Sequence, residues 1–489
     1  MSSRSTILFG PPGTGKTTSV LDIVDEDLKS GTPPDRIGFF AFTRKAAGEA
    51  VSRATERFNY GRDDLPWFRT LHSAAFKMLN LGRERVMSTH HYKELGAALG
   101  SFTFKYNYDE TTERAPQGGG LGDRALALYA LARARCESIE QCWRSMDEPD
   151  LSLLDAERFA AALHEYKQAM GLLDFCDFLE TSRHTALDLD TIIIDEAQDL
   201  TFQQWTFARH IGQSAKKVIL AGDDDQTVFQ WSGADVRTFL SLKGDLRVLP
   251  ESYRLPRTVW NKVDAISRRI NVRKGKDWRP RNEEGSVEYL SHLDQARLME
   301  SGTWLLLVRH RYQLPWVRKI CRDQGIVYQE DGEWSNQAPA VRAVMCYEKL
   351  RRGDAVSASQ ADLIRRFIPG MVKQPLEGDH VLWADVSWPF PDKRDWMEAL
   401  LGMGTDEREY IRRLRREGAS LSEPGRVILS TIHGSKGGEA DNVLLLPDVS
   451  RKVSLRISHD QELRVWYVGM SRAKQRLLLV SPTTQRFFA

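Results

Sequence analysis

Short apolar, β-prone runs recur at residues 6–9, 37–42, 191–194 and 218–221, each followed by a stretch of helical pattern. That alternation predicts a parallel sheet covered by helices on both faces. Between the second and third runs lies a long helix-rich stretch, about 80–176, broken at Gly118, Gly119 and Gly120. It reads as an insertion. Strand-like runs return at 304–308, 427–430, 442–446 and 477–480, which predicts a second α/β core. It too is interrupted, at about 336–424, by a segment with Trp383, Trp388 and Trp396 among prolines, and no repeat of fixed period is visible. The expected division is a first core from 1–79 and 177–256, a helical insertion at 80–176, a second core from 257–335 and 425–489, and a shortened insertion at 336–424.

Composition narrows the class. The 489 residues are too many for one hydrophobic core. With 41% hydrophobic and 28% charged residues the chain has a soluble, globular composition. No apolar run approaches the roughly 20 residues that span a bilayer, so membrane insertion is not expected. The N-terminus leads at once into a phosphate-binding loop, and a cleavable targeting peptide would carry part of the site away with it. A cytoplasmic location is expected. The five cysteines (Cys136, Cys142, Cys176, Cys321, Cys346) form no CxxC pair and read as reduced, mostly buried thiols. A net charge of +2 leaves any nucleic-acid contact to local patches. Two basic runs, 268–281 and 412–416, could track phosphates or equally be solvated faces.

The chemistry begins at Gly10-Pro11-Pro12-Gly13-Thr14-Gly15-Lys16-Thr17, which fits G-x-x-x-x-G-K-[ST] between a strand and a helix and is followed by Thr18. Glycines let backbone N–H groups close around phosphate oxygens, Lys16 brings a point charge to the β/γ-phosphates, and Thr17 offers a hydroxyl to Mg²⁺. A second apolar strand ends in Asp195-Glu196. There Asp195 would hold Mg²⁺ through its water shell, and Glu196 would polarise an attacking water. Transfer of a phosphoryl group also needs cationic donors beyond Lys16. Arg254 and Arg472 are candidates, although chemistry alone would equally make either a surface salt-bridge partner.

Taken in order, these segments resemble the motif set of UvrD/Rep-type superfamily 1 DNA helicases over almost the whole chain. Phe42-Thr43-Arg44-Lys45-Ala46-Ala47 is similar to that family's FTNKAA, Thr70-Leu71-His72-Ser73 to its TFH segment, and Leu173-Asp174-Phe175-Cys176-Asp177 to LDFDD. Asp195-Glu196-Ala197-Gln198-Asp199 matches DExQD, Gly222-Asp223-Asp224-Asp225-Gln226 with Trp231 matches GDDDQ...W, and Ser252-Tyr253-Arg254 corresponds to NYR. Thr431-Ile432-His433-Gly434-Ser435-Lys436-Gly437 with Glu439 resembles TLHSAKGLE, and Tyr467-Val468-Gly469-Met470-Ser471-Arg472-Ala473 resembles YVGVTRA.

The resemblance implies two tandem RecA-like P-loop domains with parallel sheets, each carrying a helical or mixed insertion, and suits a compact phage-type member. It implies an ATP-dependent, Mg²⁺-requiring helicase that translocates 3′ to 5′ on single-stranded DNA and meets single-strand/duplex junctions in replication, repair or recombination. A protein-displacing translocase and an ATP-switched DNA-binding protein are the alternatives. By resemblance Gln226 senses the γ-phosphate, Arg254 and Arg472 are arginine fingers, Glu439 meets the nucleotide sugar, and Tyr253 stacks near the base. Phe42, Thr43, His72, Phe229, Trp231, Thr431 and His433 fall at positions that line the DNA strand. Aromatic rings there would stack on bases whatever the sequence. Taken alone, such aromatics are more often core residues. Three departures from the family pattern stand out: the family's adenine-reading glutamine segment has no counterpart before the loop, Ser232 replaces an arginine after Trp231, and the second insertion is short. No nuclease domain is expected after Ala473.

Overall fold

The computed structural model describes residues 5–106, 119–146, 150–371, 376, 379–456 and 459–488; Gly118 of the expected glycine break lies outside them. The chain forms two compact units, Met1–Arg254 with Ala265–Arg281 and Ser458–Tyr467, and Leu255–Asp264 with Asn282–Ile457 and Val468–Ala489. The sequence division drew 265–281 and 458–467 with the second core, whereas both pack with the first. Ion pairs from Arg273 and Lys276 to Asp225, Asp223 and Asp224 hold the first of these segments there.

The first unit holds six parallel strands: β1 (Ser5–Phe9), β2 (Ile37–Ala41), β3 (Phe68–Thr70), β4 (Thr191–Ile194), β5 (Lys217–Gly222) and β6 (Asp245–Val248). Their order is β3-β2-β4-β5-β1-β6. The four inner strands contain the apolar runs of the sequence, because a strand covered on both faces is apolar along most of its length. At the edges, β3 and β6 are short and partly polar, and gave no such signal. Successive side chains of a pleated strand point to opposite faces. Accordingly Ile7, Phe9, Phe40, Ile192, Ile194, Val218 and Leu220 enter one apolar cluster, and Leu8, Phe39, Ala41, Ile193, Ile219 and Ala221 enter the other. Helices Lys16–Lys29 and Arg44–Phe58 cover the second face with Val20, Leu21, Val24, Ala47, Ala50 and Ala54. The first is covered by Leu71–Met78, Phe175–Thr181 and Phe202–Ile211, through Leu71, Phe178, Trp205 and Phe207.

Between β3 and β4, helices Thr89–Leu99, Leu121–Arg135, Ile139–Arg144 and Leu153–Met170 enclose a cluster of their own around Tyr92, Leu126, Tyr129, Phe159 and Leu163. The longest helix is stopped cleanly at both ends. Ser152 accepts from Asp155 N at its start, and Gly171, at φ 64°, takes the left-handed turn that ends it. Lys167 then ties it to the next helix, with Nζ 2.6 Å from Asp174 and 2.5 Å from Asp177.

The second unit carries β7 (Ser286–Leu290), β8 (Trp304–Val308), β9 (Tyr328–Glu330), β10 (Glu333–Trp334), β11 (Val427–Thr431), β12 (Ala440–Leu445) and β13 (Ala473–Val480). In the order β10-β9-β11-β8-β12-β13-β7 every neighbour is parallel except the β9–β10 hairpin. Helices Pro339–Arg352, Ala358–Arg365 and Thr405–Arg416 form a separate cluster with Val341, Tyr347, Ile364, Trp396 and Ile411. Trp383 and Trp388 stack on each other at 4.3 Å between centroids. The basic run 412–416 lies on the last of these helices and is matched by carboxylates: Arg413 is 2.6 Å from Asp323, and Arg412 is 2.9 Å from Glu409. Cys142, Cys321 and Cys346 are buried, Cys136 is exposed, and all five cysteines are free. Among the described residues no helix is long and apolar enough to cross a membrane.

Candidate nucleotide and nucleic-acid site

In the first unit β4, β5 and β1 are neighbours, so the segments leaving their carboxyl ends meet. An open parallel sheet binds ligands at such an edge. The loop after β1 is pinned to it by Gly10 N, which donates to Gly222 O at 2.9 Å. Gly13 and Gly15 adopt φ of 74° and 75°, and a Cβ on Gly13 would stand 2.3 Å from Arg254 Cβ. Both the left-handed turn and the close approach therefore require glycine at position 13. Thr14 closes the turn through Oγ1 to Pro11 O at 2.8 Å. The helix Lys16–Lys29 then starts with no side-chain cap, which leaves its first N–H groups directed at the loop. Backbone donors on a positive helix end suit a phosphate. Thr18 is exposed in the first turn.

Lys16 Nζ lies 2.5 Å from Glu196 Oε1 and 3.7 Å from Asp195 Oδ1. Burial works against its charge, but the two carboxylates outweigh that and lift its pKa. Thr17 Oγ1 donates to Asp195 Oδ2 at 3.1 Å, and burial with Glu196 alongside pushes Asp195 upward. A hydroxyl and a carboxylate side by side form a hard oxygen donor set, which fits Mg²⁺. Glu196 itself has φ 54°, a left-handed conformation that costs a non-glycine residue about 1 to 3 kcal/mol and is retained chiefly at functional sites. Its Oε2 accepts from Gln198 Nε2 at 2.6 Å, and Gln198 Oε1 in turn accepts from Asp223 N at 2.9 Å. One side chain thus links the strand ends of β4 and β5. The motif resemblance implies no role for Gln198; an amide two residues after a strand-end carboxylate is the signal in the sequence that marks it.

The segment 252–254 packs directly on the loop. Ser252 Oγ donates to Pro12 O at 2.7 Å, and Tyr253 N donates to Gly13 O at 2.8 Å. Arg254 is partly buried beside Gly13, while the Tyr253 ring is 71% exposed next to Gly15, an open aromatic face at the loop. Lys16, Thr17, Asp195, Glu196, Gln226, Tyr253 and Arg254 all belong to the first unit.

Part of the basic run 268–281 is turned inward. Asp223, Asp224 and Asp225 are all fully buried. Their carboxylates could in principle hold a cation, but Lys276 Nζ stands among them at 2.8, 2.5 and 2.8 Å. Arg273 adds a bidentate pair to Asp225, with Nη2 at 2.7 Å and Nε at 3.0 Å from the two oxygens. Arg464 Nε donates to Asp224 O at 2.9 Å. Buried charges are tolerated only when paired. Arg273 and Lys276 of the run are therefore internal counter-charge, whereas Arg268, Arg269, Lys274 and Arg279 are exposed; with Arg464 these two tie their segments to the first unit. Burial still pushes Asp224 up to about 6, whereas Lys276 and Gln226 hold Asp223 below its ordinary value against burial. Three consecutive acids after an apolar strand, with an arginine- and lysine-bearing run elsewhere in the chain, was the available signal.

The proposed strand-lining residues divide. Phe42 and Phe229 stack at 5.4 Å, and Trp231 meets Phe229 edge-on at 6.5 Å. Only 5% of Phe229 is exposed, so it serves as packing partner, while Trp231 at 41% offers a ring to solvent. Thr43 caps the helix Arg44–Phe58 by accepting from Ala46 N at 3.2 Å. His72 packs on Phe175 at 4.7 Å, and burial with Arg44 nearby holds it down to about 4. Thr431, His433, Glu439 and Arg472 lie in the second unit. Thr431 Oγ1 accepts from Gly434 N at 3.1 Å, and His433 follows two residues beyond, partly buried. Glu439 is exposed, 3.6 Å from Lys474. Arg472 is 2% exposed, its Nε donating to Val468 O at 2.9 Å and Nη1 to Gly438 O at 3.3 Å. It is not a solvated surface arginine.

Residues 2–247 match the UvrD/REP helicase N-terminal domain, and residues 411–484 match the UvrD-like helicase C-terminal domain. The chain is 26% identical over 342 residues to a probable DNA helicase II homolog of Rickettsia conorii, covering 63% of this chain and 50% of that protein. It is 27% identical over 332 residues to the ATP-dependent DNA helicase PcrA of Staphylococcus aureus, covering 60% and 42%. Against PcrA of Bacillus subtilis the identity is 22% over 312 residues, covering 57% and 39%. The chain spans half or less of the length of these relatives. With the first domain match alone taking in more than half of the residues, on a fold of two parallel-sheet, RecA-like cores, the chain belongs to the UvrD/REP helicase family.

Proposed function

We propose that this protein is a DNA-dependent ATPase that translocates along single-stranded DNA and unwinds single-strand/duplex junctions, acting in the cytoplasm in replication, repair or recombination. The observation that supports it best is the meeting of Lys16, Thr17, Asp195, Glu196 and Gln226 at adjacent strand ends, with an exposed Trp231 five residues after Gln226. In this reading the loop 10–17 and the first turn through Thr18 bind the phosphates of ATP, and Tyr253 stacks near the base. Glu196, oriented by Gln198, polarises the attacking water. Mg²⁺, when held at Thr17 and Asp195, would neutralise charge on the phosphate oxygens. Gln226 reads the γ-phosphate, and Arg254 and Arg472 stabilise charge that develops in the transition state, with Glu439 on the nucleotide sugar. Phe42, His72 and Trp231, on the scaffold of Phe229 and Thr43, would track the strand together with Thr431 and His433.

The test is strand displacement on 3′-tailed, 5′-tailed and blunt duplexes with ATP and Mg²⁺. The family resemblance leads to unwinding of the 3′-tailed duplex. Movement on a labelled strand without strand separation would mark a protein-displacing translocase, and hydrolysis without movement an ATP-switched DNA-binding protein.

A further inference from the structure

Gln226 is not held by its own loop alone. Its Nε2 donates to Asp223 Oδ2 at 2.9 Å, and the Tyr467 hydroxyl donates to that same oxygen at 3.2 Å. Lys276 Nζ occupies the other oxygen of Asp223 at 2.8 Å. Tyr467 and Asp223 are fully buried, and so is the Lys276 side chain. Both donors arrive from far along the sequence, 53 and 244 residues beyond Asp223. Apolar residues would stabilise this strand end at least as well, because burying three acids with a lysine gains little over well-packed hydrocarbon. What the ionic arrangement adds is direction: with Asp225 N also donating to Oδ1 at 3.3 Å, each oxygen of Asp223 takes two donors, so the carboxylate has one orientation and Gln226 one rotamer.

We propose that Tyr467 and Lys276 are positioning residues for ATP hydrolysis, fixing through Asp223 the rotamer in which Gln226 meets the γ-phosphate. The inference rests on the function proposed above. Burial and the neighbouring Asp223 charge keep the Tyr467 phenol protonated, and so a donor, across the working pH range. Without its hydroxyl Asp223 loses one of the donors that orient Oδ2, and Gln226, which shares that oxygen, spends less time in the productive geometry. Loss of positioning lowers turnover rather than ground-state nucleotide binding.

Tyr467→Phe tests this gently, since it keeps the buried ring and removes one hydroxyl. Single-turnover and steady-state ATP hydrolysis with single-stranded DNA, and thermal melts, are measured on the full chain, Tyr467→Phe, Gln226→Ala and the double variant. Tyr467→Phe should lower kcat about 10-fold with little change in ATP KM, the cost of one hydrogen bond to a charged group. The double variant should be no slower than Gln226→Ala, because the hydroxyl acts through that glutamine. Lys276→Met should show the same split, with a lower melting temperature. Full kcat in Tyr467→Phe, or losses that multiply in the double variant, overturns the proposal. An unsubstituted chain that hydrolyses no ATP removes the proposed function and this inference together, whereas an active one with multiplying losses removes the inference alone.

Discussion

Lys16 is held by Glu196 and Asp195, so an incoming phosphate competes with two carboxylates for one ammonium. Lys16→Ala should therefore abolish hydrolysis, because the cradle loses its charge. Glu196→Gln keeps the cradle intact and should bind nucleotide while turning over far more slowly; a normal turnover rate would refute its role. Fluorescent-nucleotide binding beside phosphate release separates the two. His72 makes a prediction in pH. Its folded value of about 4 lies below the ordinary 6.5, so the unfolded chain takes up this proton first as pH falls. The stability contributed by neutral His72 is complete above about 6.5 and is lost progressively toward about 4. Melting temperature followed over that window should fall less steeply in His72→Gln than in the unsubstituted chain. At neutral pH His72 would meet DNA as an uncharged ring, not as a phosphate cation.

At the scale of elements, the turn after β5 carries both Gln226 and Trp231, so in the proposed function one short segment would read both DNA occupancy and the γ-phosphate. Losing one stacked base costs roughly 1 to 3 kcal/mol, on the order of 5- to 150-fold in affinity. Trp231→Ala should weaken binding to single-stranded DNA by that factor, with a near-normal melt, because this ring is 41% exposed. Phe229→Ala should behave in the opposite way. It removes a buried ring between Phe42 and Trp231 and should destabilise the first unit by about 3 to 5 kcal/mol. Calorimetry and fluorescence anisotropy on the pair would show whether the two aromatics divide as proposed. Equal melts with equal DNA loss would mean that Phe229 also meets the strand.

For the whole molecule, the two candidate fingers come from different units, Arg254 from the first and Arg472 from the second. Charge that develops only in the transition state is best met by groups that lower kcat when removed. Arg254→Ala and Arg472→Lys should each reduce kcat by on the order of 10³-fold or more with modest change in ATP affinity. Lysine is preferred at 472 because the native side chain is buried and donates to Val468 O and Gly438 O, bonds that alanine would leave unmade. A raised KM at unchanged kcat would assign either arginine to ground-state binding instead.

The inner strands, the phosphate loop and the strand-end acids could be read from the chain because each is local: a strand buried on both faces must be apolar, and a tight phosphate cradle needs its glycines in place. Their order along the chain carried the family resemblance as well. The edge strands β3 and β6 were not legible, since a strand with one neighbour need not be apolar. Nor was the division of the aromatics, because burial of Phe229 beside an exposed Trp231 depends on what the β2 end brings with Phe42. The use of Arg273, Lys276 and Tyr467 was decided by tertiary structure alone. A lysine in a basic run looks the same whether solvated or buried, and only the fold brings it within 2.8 Å of an aspartate 53 residues away. Three buried acids need counter-charge wherever the chain can supply it, and sequence proximity places no limit on where that is.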